Sequence, residues 1–194
     1  MIYLLRHGKL PDFYSGKFIG QADIPLSPEG IKQANKWAAF FSKQGIKFNF
    51  VFSSDLSRCT KTAEIIAPYT KIDFLPALRE INLGEWDGKE RRKIISAYPA
   101  EWEKRGDDPA YTPPGGESFA SFYSRVAPAI DEILMIKGDK LIVTHAGVIR
   151  CVICRIMDAP LTKLLSLEVE YAGLTTIDES KNPIRIKGFN TKPY

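Results

Sequence analysis

Two stretches decide the reading of this chain: Ile2-Tyr3-Leu4-Leu5-Arg6-His7-Gly8 near its start and Leu141-Ile142-Val143-Thr144-His145-Ala146-Gly147 in its last third. Each is a short apolar run that ends in a histidine, with a glycine one or two residues on. Runs this short and this apolar suit strands buried on both faces, as in a parallel sheet covered by helices. In open α/β sheets, ligands bind beyond the carboxyl ends of the strands. The chain has only two histidines, and both fall at such ends. One histidine there is most simply a satisfied structural residue. Both of them, with Arg6 beside the first, point to a shared cleft.

Working outward, Phe50-Val51-Phe52-Ser53, Ile72-Asp73-Phe74, Leu174-Thr175-Thr176-Ile177 and Ile184-Arg185-Ile186 read as further strands. Helical patterns lie between them. Ser27-Pro28-Glu29-Gly30 supplies an N-cap serine and a first-turn proline for a helix through Trp37, Phe40 and Phe41. Asp55 is expected to cap a helix carrying Ala63, Ile66 and Ala67. Ser118 is expected to cap another through Phe122, Val126, Ile130 and Ile133, with Pro128 inside it. Strands alternating with helices of this length predict a three-layer α/β/α sandwich around a mainly parallel sheet. No repeat or linker splits the chain, so residues 1–194 read as a single domain. Residues 106–116, rich in Gly and Pro, read as a loop, and Lys89-Glu90-Arg91-Arg92-Lys93 as a solvated helix face, with a basic lip beside an anion-binding cleft as the alternative.

Composition narrows the function. The chain has 194 residues, 44% of them hydrophobic and 26% charged, enough for a sizeable core without disulfides or structural metals. A net charge of +4 suits anionic substrates but is too weak for a nucleic acid polymer. No apolar run approaches a membrane span, and Arg6 comes too early for a signal peptide. A cytoplasmic protein is expected. Cys59, Cys151 and Cys154 read as buried thiols, because the Cys151-x-x-Cys154 pair has no second Cys or His pair to complete a metal site.

Two more segments carry chemistry. Ser53-Ser54-Asp55-Leu56-Ser57-Arg58 is a strand end followed by a helix start with an arginine in its first turn, a common anion cradle. Leu78-Arg79-Glu80-Ile81-Asn82-Leu83-Gly84-Glu85-Trp86-Asp87-Gly88 is a glycine-punctuated loop with three candidate acids: Glu80, Glu85 and Asp87.

These pieces, in this order, resemble the histidine phosphatase superfamily, the phosphoglycerate mutase-like clan. The resemblance rests on Arg6-His7-Gly8, Gln21 to Gly30, Ser53 to Ala63, Glu80 to Gly88, Pro114-Gly115-Gly116-Glu117-Ser118 and Val143 to Gly147. It implies a small phosphorylated substrate and catalysis with no cofactor or metal. It also implies His7 as the nucleophile that becomes a phosphohistidine, with Glu80 as general acid and then base. His145, Arg6, Arg58 and Gly8 would surround the phosphoryl group. Glu80 would need a raised pKa, which apolar packing and Trp86 could supply.

Three features separate the chain from many relatives. Leu10 and Phe13 stand where polar phosphate contacts are common, and Ile19 precedes Gly20 where a hydroxyl is frequent. Glu80-Ile81-Asn82-Leu83-Gly84 replaces the Glu-Arg-His-Tyr-Gly of mutases, and no longer insertion precedes Pro114. The acid-loop difference and the missing insertion favour a phosphatase. Within the family the resemblance is greatest to α-ribazole phosphatases. It implies α-ribazole 5′-phosphate of cobalamin biosynthesis as substrate, its flat body met by an apolar lip of Leu10, Phe13 and Phe18. The alternatives are a broad-specificity or sugar-phosphate phosphatase, a phosphoglycerate mutase, and a non-catalytic phosphate-binding module.

Overall fold

A computed structural model describes residues 1–193. Six strands form one sheet: β1 (Ile2–Arg6), β2 (Phe50–Ser53), β3 (Ile72–Phe74), β4 (Lys140–Thr144), β5 (Leu174–Asp178) and β6 (Arg185–Thr191). Their order across the sheet is β3-β2-β4-β1-β5-β6. The first four are mutually parallel, while β5 and β6 join antiparallel at one edge. The expected mainly parallel α/β fold is what forms.

Strand alternation sends side chains to two separate cores. Leu5, Val51, Leu141 and Val143 face α1 (Pro28–Lys43) and α2 (Ser57–Ile66), where they meet Trp37, Phe41, Cys59 and Ala63. Ile2, Leu4, Phe52 and Ile142 face the opposite layer. There α5 (Phe119–Met135) and α6 (Ala146–Ile156) supply Phe122, Val126, Ile130, Ile149 and Ile153. Full burial on both faces explains why these strands read as unbroken apolar runs.

Ser27 caps α1 by accepting from the Gly30 amide at 3.0 Å, with Pro28 at the first position, and Ser118 caps α5 through the Ser121 amide at 3.0 Å. Asp55 does not cap α2. That helix starts two residues later, behind Leu56, and the early backbone donors are met from elsewhere. Ser54 Oγ accepts from the Leu56 amide and Asp23 from the Ser57 amide at 2.7 Å. Asp55 is instead held by both arms of Arg79. The last strand also differs from expectation. It runs Arg185–Thr191 with regular exposed and half-buried alternation, well beyond Ile184–Ile186. Between the acid loop and α5 lie α3 (Arg91–Ala97), which the charge run opens, and α4 (Pro99–Asp107), which the sequence reading left out. The charge run does form an exposed helix start, and α4 takes the first two residues of the expected 106–116 loop.

Gly8, just after β1, packs backbone to backbone against Gly30 at the head of α1, where a methyl group would collide with the Gly30 carbonyl. Gly8→Ala should therefore lower stability by about 1–3 kcal/mol, the cost of overpacking a tight contact. The change should show as a lower urea midpoint at constant slope. An unchanged midpoint would show that the contact yields freely.

Candidate active site

The pairing of β1 with β4 sets Arg6 opposite Thr144, so the next residue of each strand is a histidine in a neighbouring position. The His7 and His145 rings lie 5.2 Å apart, centre to centre, and both are almost wholly buried. β2 ends alongside at Ser53–Ser54 and delivers the start of α2, which carries Arg58.

The hydrogen bonds fix both tautomers. His7 Nδ1 is 2.8 Å from the Gly8 carbonyl, which can only accept, so Nδ1 carries the proton and Nε2 keeps a lone pair. His145 Nδ1 accepts from Arg58 Nε at 3.3 Å, which leaves Nε2–H to donate to Ser54 Oγ at 2.9 Å. Burial, then Arg58 and other neighbouring cations, holds the pKa of both imidazoles well below the ordinary 6.5. Cys59 packs 3.4 Å from His145 Nε2, and burial pushes its thiol pKa up, so it stays a neutral thiol. Cys151 and Cys154 are buried and free, as expected.

Arg58 is buried, its two terminal nitrogens donating to the carbonyls of Ala22 (2.8 Å) and Gly20 (2.7 Å). Arg6 donates to the Val169 carbonyl at 2.6 Å and stacks on Tyr171, 3.8 Å from the ring centre. Among the described residues its buried Nε has no partner, a donor left over for an anion. Gly8 directs its amide to Thr62 Oγ1 at 3.4 Å and packs against Gly30 as described above.

Glu80 follows a short helical turn (Pro76–Leu78). One carboxylate oxygen accepts from the Ile81 amide at 3.0 Å and the other from the Gly147 amide at 3.1 Å, at the start of α6. Gly147 leaves room for this, because a Cβ there would occupy the place of the carboxylate and the Phe122 ring edge. Glu80 thus reaches the start of α6, two residues beyond His145. Its rivals do other things: Glu85 is exposed, and Asp87 accepts from the amides of Gly20 (2.9 Å) and Ala22 (2.8 Å).

Several contributors were not singled out in the sequence: Arg125 and Tyr171 lie outside the matched segments, while Glu117 and Gln21 lie within them. Arg125 of α5 pairs with Glu117 at 2.9 Å and donates to the carbonyls of Ala77, Arg79 and Glu80, clamping the acid loop. Glu117 in turn accepts from the Asn82 amide at 2.8 Å. Gln21 donates to the Glu80 carbonyl, and Tyr171 covers Arg6 and His7 from the β5 side. The apolar lip does not form. Leu10 is buried, Phe13 stands out in solvent beneath Lys17, and Phe18 stacks on Trp86. Among the described residues no cluster of three or more His, Cys, Asp or Glu could hold a metal ion, and no helix is long and apolar enough to cross a membrane.

With this geometry in view, comparison with known proteins fixes the class. The family model of the histidine phosphatase superfamily, branch 1, matches residues 2–192, and the chain belongs to that family. A probable phosphoglycerate mutase, GpmB, from Serratia proteamaculans is 33% identical over 97% of this chain and 89% of its own length. A 6-phosphofructo-2-kinase/fructose-2,6-bisphosphatase from Caenorhabditis elegans is 32% identical over 91% of this chain, which spans only 38% of that protein. The crystal structure of the α-ribazole phosphatase from Shigella flexneri superposes with a TM-score of 0.84 at 25% identity, covering 98% of this chain and 96% of the other.

The buried imidazoles have a consequence for pH. The unfolded chain takes up protons at both histidines as pH falls through about 6.5, while the native state, with both pKa values lowered, does not. Their contribution to stability is therefore intact above 6.5 and declines as pH drops below it. Ring resonances of the two histidines, assigned with His7→Ala, should show neutral rings at pH 6.5, protonated on Nδ1 in His7 and on Nε2 in His145. A ring titrating at its ordinary 6.5 would contradict the site electrostatics.

Proposed function

We propose that this chain is a phosphomonoester hydrolase that works through a phosphohistidine on His7. One observation carries the reading: the Gly8 carbonyl commits Nδ1, so a buried, neutral imidazole between Arg6 and Arg58 keeps its Nε2 lone pair. In the first step Nε2 attacks phosphorus and the ester P–O bond breaks, the leaving oxygen taking a proton from Glu80. In the second step a water attacks phosphorus, its proton passes to the Glu80 carboxylate, and the P–N bond breaks to release phosphate and free His7. Arg6, with its unused Nε, and Arg58 meet the charge on the phosphoryl oxygens. Both His145 nitrogens are engaged, so its part runs through Arg58, which it orients. The single domain over 1–194 belongs to this proposal.

The named relatives include a mutase and a bisphosphatase as well as an α-ribazole phosphatase, so similarity leaves the acceptor and the substrate body to be argued. Water as acceptor is supported by the acid loop: Ile81 and Leu83 turn into the core, and Arg79, its one cation, is paired with Asp55 rather than left to grip a second substrate. α-Ribazole 5′-phosphate is the named substrate that the resemblance favours.

Glu80→Gln keeps the shape of the side chain but has no proton to give. It should slow hydrolysis of an alkyl phosphate by ~10²-fold or more and that of p-nitrophenyl phosphate far less, because a nitrophenolate needs little protonation. Equal losses on both esters would make Glu80 a binding residue. Rapid conversion of 3-phosphoglycerate with bisphosphate primer to 2-phosphoglycerate, without free phosphate, would replace the hydrolase by a mutase.

A further inference from the structure

Arg6 owes its place to a single turn. Its Nη1 donates to the Val169 carbonyl and its guanidinium lies against the Tyr171 ring, so both holds come from residues 168–173, the segment that leads into β5. That segment is tied down closely. The Ala172 amide donates to the His7 carbonyl at 3.1 Å, and the Ala172 carbonyl accepts from Trp37 Nε1 at 2.9 Å. Ala172 itself takes a φ of 50°, a left-handed conformation that a Cβ disfavours. A residue held this way persists only where its surroundings fix it.

Part of the fixing comes from the outermost strand. Asn190, half-buried on β6, brackets Val169: its Oδ1 accepts from the Glu170 amide at 2.9 Å and its Nδ2 donates to the Glu168 carbonyl at 2.7 Å. Three observations mark the bracket as a built feature. Leu174 pairs with Thr191 and Thr176 with Gly188, so β6 carries one residue more than β5 between those pairs. Such a bulge re-aims a side chain, and here it holds Asn190 at a φ of 52°, which asparagine tolerates better than most residues. Gly173 leaves the space, because a Cβ there would lie 2.6 Å from Asn190 Oδ1. Lys192 adds a second hold, donating to the Tyr171 carbonyl at 2.6 Å and pairing with Glu170 at 3.1 Å.

We propose that Asn190 is a positioning residue for the phosphoryl site: it fixes the turn whose Val169 carbonyl and Tyr171 ring aim Arg6, and so keeps the free Nε of Arg6 directed at the phosphoryl group. That Arg6 grips a phosphoryl group rests on the hydrolase reading, whereas its hold by Asn190 does not. The side-chain amide spends its donor and its acceptor on either side of one residue, and that residue carries the only carbonyl that Arg6 engages among the described residues.

Asn190→Gly removes the bracket and keeps the backbone, because glycine adopts a positive φ without strain. In the intact protein it should lower kcat/KM for p-nitrophenyl phosphate by about tenfold or more, the worth of one charge-assisted hydrogen bond. Made in an Arg6→Met background, the same change should cost less than about twofold, because residues that act through one another are not additive. The Nε–H resonance of Arg6 in the unliganded protein gives a readout free of turnover. In Asn190→Gly it should shift and exchange with water about tenfold faster or more. Asn190→Asp, which sets a second oxygen against the Glu168 carbonyl, makes the same comparisons if the glycine variant fails to fold. An undiminished kcat/KM, an equal loss with and without Arg6, or an Arg6 Nε–H that neither folded variant moves would overturn the positioning role. If the parent chain leaves p-nitrophenyl phosphate intact, the hydrolase reading fails, and the Arg6 resonance alone decides whether Asn190 holds Arg6.

Discussion

Everything at the site depends on the register between β1 and β4. Because Arg6 pairs with Thr144, the residue that follows each strand is a histidine, and the two rings meet 5.2 Å apart where the parallel sheet opens. A slip of one residue would turn each apolar strand inside out, and the two separate cores, Leu4 and Ile142 on one face and Leu5 and Val143 on the other, hold it against such a slip. The fold energy therefore resides in aliphatic packing far from the polar site. That leaves the cleft free to keep donors unsatisfied.

The second organising feature is how cations are buried without carboxylates. Arg58 is fixed by two carbonyls and an imidazole, and Arg6 by one carbonyl and an aromatic face. Neutral acceptors orient a guanidinium while leaving its charge uncancelled, which is what an anion site requires. Burial, reinforced by the same positive field, keeps both histidines neutral, and a neutral His7 is the form with a lone pair to give. The carboxylates that pair with arginines around the cleft, unlike Glu80, serve structure. Glu117 takes Arg125 at the acid loop, Asp55 takes Arg79 beside it, and Asp87 holds the Gly20–Ala22 backbone that in turn anchors Arg58.

Much of this was legible in the sequence, because strong signals were local. Two apolar runs ending in histidine, a serine–proline helix start at Ser27–Pro28 and a serine cap at Ser118 each depend on neighbours a few residues away. What was not legible depends on long-range contact. Asp55 reads as a cap until Arg79, 24 residues on, claims it. Leu10, Phe13 and Phe18 look alike as letters, yet one is core, one is solvent-exposed and one joins Trp86 beneath α4. Arg125 sits in ordinary helical sequence, and only the folded chain brings it to the acid loop. Glu80 was separable from Glu85 and Asp87 by resemblance, and the structure adds the physical difference: its oxygens lie against the start of α6, beside His145.

The central claim is that Gly8 commits one nitrogen of His7 so that the other does the chemistry. Rapid-quench trapping of the protein with a phosphomonoester under alkaline conditions, followed by phosphorus–nitrogen coupling in labelled protein, measures which nitrogen carries the phosphoryl group. The account predicts a single phosphohistidine at Nε2 of His7, formed and consumed within one turnover. Phosphate on Nδ1, on His145, or on no residue while hydrolysis proceeds would contradict it.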